Sequence, residues 1–159
     1  RLLLIGKGEL EKELKQQVKD LNLQDKVIFL GYKKNPSRYI SKSNCFILSS
    51  AFEGFPNALL EALAAGTAVI STDCPSGPRE MLYDVADLTV HCSDVEQADY
   101  GLLVPVDDAG GLANAMLIMM EDESLRKKLA DKGQIRAADF DVAVVIKKYQ
   151  TVLEKYSPF

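Results

Sequence analysis

The feature that most constrains this chain is an alternation: short apolar runs without polar interruption, each followed by a stretch with helical spacing. The runs lie at residues 2–5, 27–30, 45–48, 68–71 and 102–104. Such runs of Val, Ile and Leu suit strands buried on both faces, and strands separated by helices imply right-handed crossovers and a parallel sheet. Between the first two runs, residues 9–21 carry apolar side chains at Leu10, Leu14, Val18 and Leu21, one face of a helix. Helices are likewise predicted at 36–42, 56–65 and 78–83, from Asp107 to 121, at 124–138 and at 142–156. Residues 88–90 suggest a short edge strand. They lie inside a stretch, 83–100, whose Asp84, Asp87, Asp94, Glu96 and Asp99 read as an exposed, insertion-like loop. The expected architecture is α/β: a doubly wound, mostly parallel sheet with helices on both faces, a helical C-terminal tail, and one domain over residues 1–159. Ligands of such sheets sit beyond the carboxyl ends of the strands. That nominates the loops 6–8, 31–35, 49–57 and 72–79.

Composition narrows the partners. A formal net charge of −4 argues against nucleic acid, whose phosphates are held by clustered Lys and Arg. No apolar run approaches the roughly 20 residues needed to span a bilayer. The chain opens abruptly on a strand without an initiator Met, which suggests a piece of a longer protein. Cys45, Cys74 and Cys92 match no zinc or redox spacing, and free thiols in a reducing compartment are expected, with Cys45 in the core. His91 is the sole histidine, a poor basis for a Ser-His-Asp site. Gly6-Lys7-Gly8 lacks the third glycine of a dinucleotide fingerprint and reads as a tight turn. Asp139 and Asp141 have a metal-ligand spacing, but Asp141 precedes an apolar-periodic helix and reads as its N-cap. Arg79 and Glu80 are placed to reach the cleft or to form a structural ion pair, and Phe52 is assigned to the core.

The loop 49–57 is the most informative segment. It follows a strand and runs into a helix through Pro56, a residue suited to the first helical position because it has no N–H to satisfy. The N–H groups from Asn57 onward are expected to lack helical partners and to point above the sheet with the helix dipole behind them, a phosphate site. Glu53 and Glu61 are eight positions apart, about 12 Å along a continuous helix. With Glu53 in the loop and Glu61 two turns into the helix, both can face one extended ligand. A carboxylate accepts two vicinal hydroxyl hydrogens side by side, as a sugar ring or a ribose offers them.

The segment from Glu53-Gly54-Phe55-Pro56-Asn57 through Glu61 to Ile70 closely resembles the donor-site segment of the family 4 retaining glycosyltransferases, whose signature is two Glu separated by seven residues. The strand and loop at 27–32, the turn and helix at 73–80 and the strand at 100–105 are also similar to that family, so the likeness covers essentially the whole chain. The resemblance implies the Rossmann-like, C-terminal half of a GT-B fold. It implies that Glu53 contacts donor sugar hydroxyls near the reacting carbon, with backbone of Gly54 and Phe55 near the sugar. Glu61 would then bind ribose hydroxyls, the amides of Asn57 and Ala58 the diphosphate, and backbone at Tyr32 and Lys33 the base. Pro56 departs from members with Gly there and removes one amide. The Arg and Lys that family members place on the diphosphate precede the region where this chain starts, and the acceptor domain is absent from it. The fragment alone is therefore expected to be inactive.

By the same resemblance the whole protein moves a sugar from a nucleoside diphosphate, UDP by family frequency, to a polysaccharide, glycolipid or similar acceptor. No cofactor and no metal are expected. A bacterial pathway in the cytoplasm is implied, at the inner face of the plasma membrane, with peripheral membrane association of the whole protein. Two other readings remain open: a GT-B nucleotide-sugar epimerase and a non-catalytic nucleotide-sugar binding module.

Overall fold

The structure is a computed structural model that describes residues 1–156. The chain forms two compact units, residues 1–38 and the remainder from residue 39.

In the first unit, β1 (Leu2–Ile5) pairs in parallel with β2 (Val27–Gly31), Leu2 lying opposite Val27. Helix α1 (Glu11–Asp20) joins them by the crossover that parallel pairing demands. The expected tight turn at residues 6–8 is present. Gly6 has φ 139° and donates its N–H to the carbonyl of Gly31 at 3.0 Å, and Gly31 itself has φ 64°. Both angles lie where a side chain is disfavoured, so these two glycines fix the ends of the pair. The apolar runs are less enclosed than their composition suggested. Leu2, Leu3 and Ile5 are exposed, and α1 buries no residue.

Helix α2 (Ser37–Ile40) spans the boundary between the units. The second unit continues with β3 (Cys45–Leu48), α3 (Asn57–Ala64), β4 (Ala68–Thr72), α4 (Pro78–Leu82), β5 (Glu96–Gln97), β6 (Leu102–Val104) and the helices α5 (Ala109–Glu121), α6 (Glu123–Ala137) and α7 (Val142–Tyr156). A short 3₁₀ turn, Ala138–Phe140, links the last two. The four strands order as β3-β4-β6-β5, parallel except that β5 runs antiparallel to β6.

All five residues of β4 are buried. Successive residues point to opposite faces. Val69 and Leu103 accordingly meet Leu59, Ala62 and Leu63 of α3 with Met81 and Leu82 of α4. Ala68, Ile70, Leu102 and Val104 meet Ala115 and Met119 of α5 and Leu129 of α6. The uninterrupted apolar runs thus serve two cores, one on each face, as a doubly wound sheet requires. Leu59, Leu63, Ile70 and Leu103 are fully enclosed, and each such side chain contributes about 1.5–3 kcal/mol relative to exposure.

Caps set the tail. Asp108, Asp122 and Asp141 accept the N–H of Gly111, Leu125 and Ala143 at 2.9, 2.8 and 2.8 Å, which bears out the capping role read for Asp141. The three cysteines are free, and Cys45 is half-buried against the second core, where burial pushes its thiol up to about 12. Among the described residues no helix is long and apolar enough to cross a membrane.

Two expectations are corrected here. Residues 88–90 form no strand: Leu88, Thr89 and Val90 are exposed coil, and the edge strand is Glu96–Gln97 instead. A strand needs a neighbour with free backbone groups, and β6 offers its open edge to residues 96–97. Phe52 is not in the core but 76% exposed, because the loop turns its ring away from the sheet.

Candidate functional site

The site is built from two loops at the carboxyl ends of adjacent parallel strands. After β3 the chain runs through residues 49–56 into α3, and after β4 it turns through residues 73–77 into α4. The loops are bonded to one another by backbone. The Glu53 N–H donates to the carbonyl of Pro75 at 3.1 Å, and the Ser76 N–H donates to the carbonyl of Glu53 at 3.0 Å. The Ser76 hydroxyl adds a bond to the Gly54 carbonyl at 3.3 Å. Thr72, the last residue of β4, donates its hydroxyl to the Ser50 carbonyl at 2.5 Å. Glu53 therefore has a fixed backbone although it lies in a loop. Its carboxylate is half-buried and accepts the Ser50 hydroxyl at 2.7 Å, which orients one oxygen and leaves further lone pairs.

Gly77 makes this approach possible. Its φ is 99°, and a Cβ there would stand 2.5 Å from Cδ of Pro56 and 3.0 Å from the Gly54 carbonyl. Pro56, buried, is the N-cap of α3, and Asn57 is the first helical residue, one position later than the sequence suggested. The row of free amides is shorter than expected. The N–H of Asn57 folds back on the carbonyl of Phe55 at 2.9 Å, while Leu59 and Leu60 both bond the carbonyl of Pro56. Among the described residues, the N–H of Ala58 meets no backbone acceptor. Asn57, Ala58 and Glu61 are all exposed. Phe55 is half exposed, and its ring meets Phe140 with centroids 5.8 Å apart. Six of the eight residues nominated from the sequence, Glu53, Gly54, Phe55, Asn57, Ala58 and Glu61, thus lie on one loop and the helix it opens. Tyr32 and Lys33 belong to the first unit, just beyond β2, where Tyr32 is exposed and Lys33 half-buried.

A second group of charges lies at the start of the neighbouring loop. Asp73, with a side chain 1% exposed, accepts Nε of Arg79 at 3.0 and 3.1 Å and Nη2 at 2.7 Å. It also accepts the N–H of Cys92 at 2.7 Å. The same guanidinium holds Glu96 through Nη1 at 3.1 Å and Nη2 at 3.2 Å, and Glu96 accepts the Tyr83 hydroxyl. A planar fork with five donors suits this double bidentate arrangement where a lysine would not. Burial would raise the Asp73 carboxyl, but the hydrogen bonds from Arg79 and Cys92 and the guanidinium charge outweigh it and hold it below the ordinary carboxylate range. Glu96 is lowered by its bonds to Arg79 and Tyr83. Of the two roles open to Arg79, the ion pair is the one observed. Glu80 is exposed, its carbonyl taking a bond from Arg136 at 3.1 Å. Glu96 is correspondingly no exposed loop residue. The signal was in the sequence only as three charges at unrelated spacings. Among the described residues no cluster of three or more His, Cys, Asp or Glu is arranged to hold a metal.

Comparisons with known proteins agree on one family. Residues 1–136 match the family described as Glycosyl transferases group 1. An uncharacterized glycosyltransferase of Methanocaldococcus jannaschii is 36% identical over 170 residues, 97% of this chain and 42% of that protein. A second relative, from Campylobacter jejuni, is 39% identical over 141 residues, 89% of this chain and 35% of that protein. It is named N-acetylgalactosamine-N,N'-diacetylbacillosaminyl-diphospho-undecaprenol 4-alpha-N-acetylgalactosaminyltransferase. This chain therefore spans well under half the length of these relatives. Among solved structures, Anabaena HepE in complex with UDP and glucose superposes with a TM-score of 0.77 at 24% identity, over 96% of this chain and 40% of that one, which shows the same fold. A fold with cores on both sheet faces, a glutamate pair around a loop-to-helix corner and a match over residues 1–136 lead to one conclusion: this chain belongs to the group 1 glycosyl transferases.

Proposed function

We propose that this chain forms the donor site of a retaining glycosyltransferase that takes its sugar from a nucleoside diphosphate, a UDP-sugar, and passes it to a polysaccharide or lipid-linked acceptor. The observation that carries this reading is the clipped loop: the backbone of Glu53 bonded on both sides to the turn 75–76, directly before a helix start with an open amide. Glu53, its carboxylate oriented by Ser50, receives hydroxyls of the transferred sugar, and Gly54 and Phe55 line that sugar. The N–H of Ala58, with the α3 dipole behind it, supports the diphosphate; Asn57 joins it once its amide is released from Phe55. Glu61 accepts the ribose hydroxyls. Charge developing on the leaving diphosphate is met by fixed dipoles, an electrostatic contribution that needs no metal ion.

Relatives named for transfer to undecaprenyl-diphosphate-linked sugars and for lipopolysaccharide core biosynthesis, together with the UDP complexes of structural neighbours, support the donor and acceptor classes. An acceptor of that kind would place the whole protein in the cytoplasm at the inner face of the membrane. Calorimetric titration with UDP, GDP and ADP, with Glu61→Ala as the control, tests the reading. Selective binding of UDP that the substitution abolishes is expected. Equal binding of all three would remove the preference for UDP, and binding indifferent to Glu61→Ala would remove the ribose role and with it the donor site.

A further inference from the structure

The segment 83–97 is fastened at several points, and three of them converge on one carboxylate and its backbone. The N–H of Cys92 and the guanidinium of Arg79, itself bonded to Glu96, meet the Asp73 carboxylate, and the ring of His91 meets the Asp73 carbonyl. Asp73 directly precedes the turn that clips Glu53, and its own N–H is tied to the carbonyl of Val104 at 2.8 Å. The consequence is that a long surface segment delivers one imidazole to a defined place beside that turn.

His91 Nδ1 stands 3.1 Å from the carbonyl of Asp73 and 3.6 Å from its carboxylate. Two acceptors facing Nδ1 require that this nitrogen carry the proton, so in the neutral ring Nε2 is the acceptor. The ring is nevertheless 52% exposed. It borders a cleft of about 250 Å³ at the carboxyl ends of β4 and β6, walled by Pro75, Pro105 and Val106. Pro75 is also the residue whose carbonyl receives the Glu53 N–H, so the cleft and the Glu53 loop share a wall. A fixed hydrogen-bond acceptor flanked by saturated carbon surfaces matches a pyranose, which offers hydroxyl donors at its edge and C–H groups on its faces.

We propose that His91 is a sugar-binding residue of the donor site, its Nε2 accepting a hydroxyl hydrogen of the transferred sugar while Pro75, Pro105 and Val106 contact the ring. This rests on the donor-site reading above and adds a sugar-selecting contact outside the glutamate pair. His91 takes no part in bond breaking; it discriminates among sugars carried on the same nucleotide.

The test uses the natural full-length protein and four probes: UDP, UDP-glucose, UDP-N-acetylglucosamine and UDP-N-acetylgalactosamine. Affinities are compared for wild type, His91→Ala, His91→Gln and Glu61→Ala. One UDP-sugar is expected to bind more tightly than UDP. His91→Ala should reduce that preference about fivefold, the scale of one neutral hydrogen bond, with UDP itself unaffected. His91→Gln, whose side-chain carbonyl is again an acceptor, should recover most of it. A merely structural His91 would lower all four affinities together or none. The proposal is overturned by a sugar preference that survives His91→Ala, by the absence of any preference over UDP, or by loss of UDP binding in both His91 variants. If Glu61→Ala abolishes UDP binding while His91→Ala changes nothing, the donor site stands and only the role of His91 falls. If wild type binds none of the probes, the donor-site reading fails first.

Discussion

The loops that follow β3 and β4 occupy equivalent positions, at the carboxyl ends of adjacent parallel strands, yet they treat their carboxylates in opposite ways. Asp73 is enclosed, and its charge is met by a guanidinium and a backbone amide. Glu53 is half open, and its charge is met by one serine hydroxyl. A buried ion that loses its partner is uncompensated, whereas an open carboxylate falls back on water. The first arrangement therefore suits a scaffold and the second suits chemistry. The two backbone bonds between Glu53 and residues 75–76 let the rigid loop position the open one.

The largest effect that would break this comparison is on the scaffold side. Arg79→Met should destabilise the fold by about 3–5 kcal/mol in urea or thermal unfolding, because it leaves the Asp73 charge buried without its guanidinium, held only by the Cys92 amide. A loss below 1 kcal/mol would mean that the clamp is not structural. Gly77→Ala should cost about 1–3 kcal/mol, since it combines φ 99° with a contact of 2.5 Å to Pro56, and it should also weaken donor binding by loosening the Glu53 loop. Donor affinity unchanged in a destabilised Gly77→Ala would uncouple the two loops.

Acid sharpens the contrast. Asp73 and Glu96 have carboxyls held below their ordinary values of 3.8 and 4.5 in the fold. The stability they contribute is full above the unfolded values and is lost as pH falls through the folded ones. Unfolding free energy should therefore drop as pH is lowered below about 4.5, and this drop should flatten in Arg79→Met. An equally steep acid profile in the variant would assign the loss to other groups. The smallest stability effect is expected at the open carboxylate: Glu53→Gln should change unfolding by no more than about 0.5 kcal/mol while abolishing sugar transfer by the full-length protein. Retained transfer would remove Glu53 from the proposed chemistry.

The strands were legible because five uninterrupted apolar runs have few alternatives in a chain of this size, and all five coincide with a strand or, at 27–30 and 68–71, fall one residue short of it. The glutamate pair was legible because it lies on one local loop-and-helix segment. The edge strand was not: Glu96 and Gln97 are polar, and what makes them a strand is the open side of β6. Phe52 misled for the complementary reason, since its apolar ring says nothing about which way a clipped loop faces. The clamp was hidden because Asp73, Arg79 and Glu96 are related by no periodicity, and only the packing of α4 against the sheet brings them together.

Patterns within a few turns of chain were enough to set the alternating α/β order, the two-faced core and the Glu53–Glu61 corner. Tertiary structure decided which charges are enclosed, which loop holds Glu53 and where His91 stands. Those outcomes depend on pairings between residues 6 to 19 apart in the clamp, and farther apart in the Glu53 loop, whose free energy exists only once the elements around them have been packed.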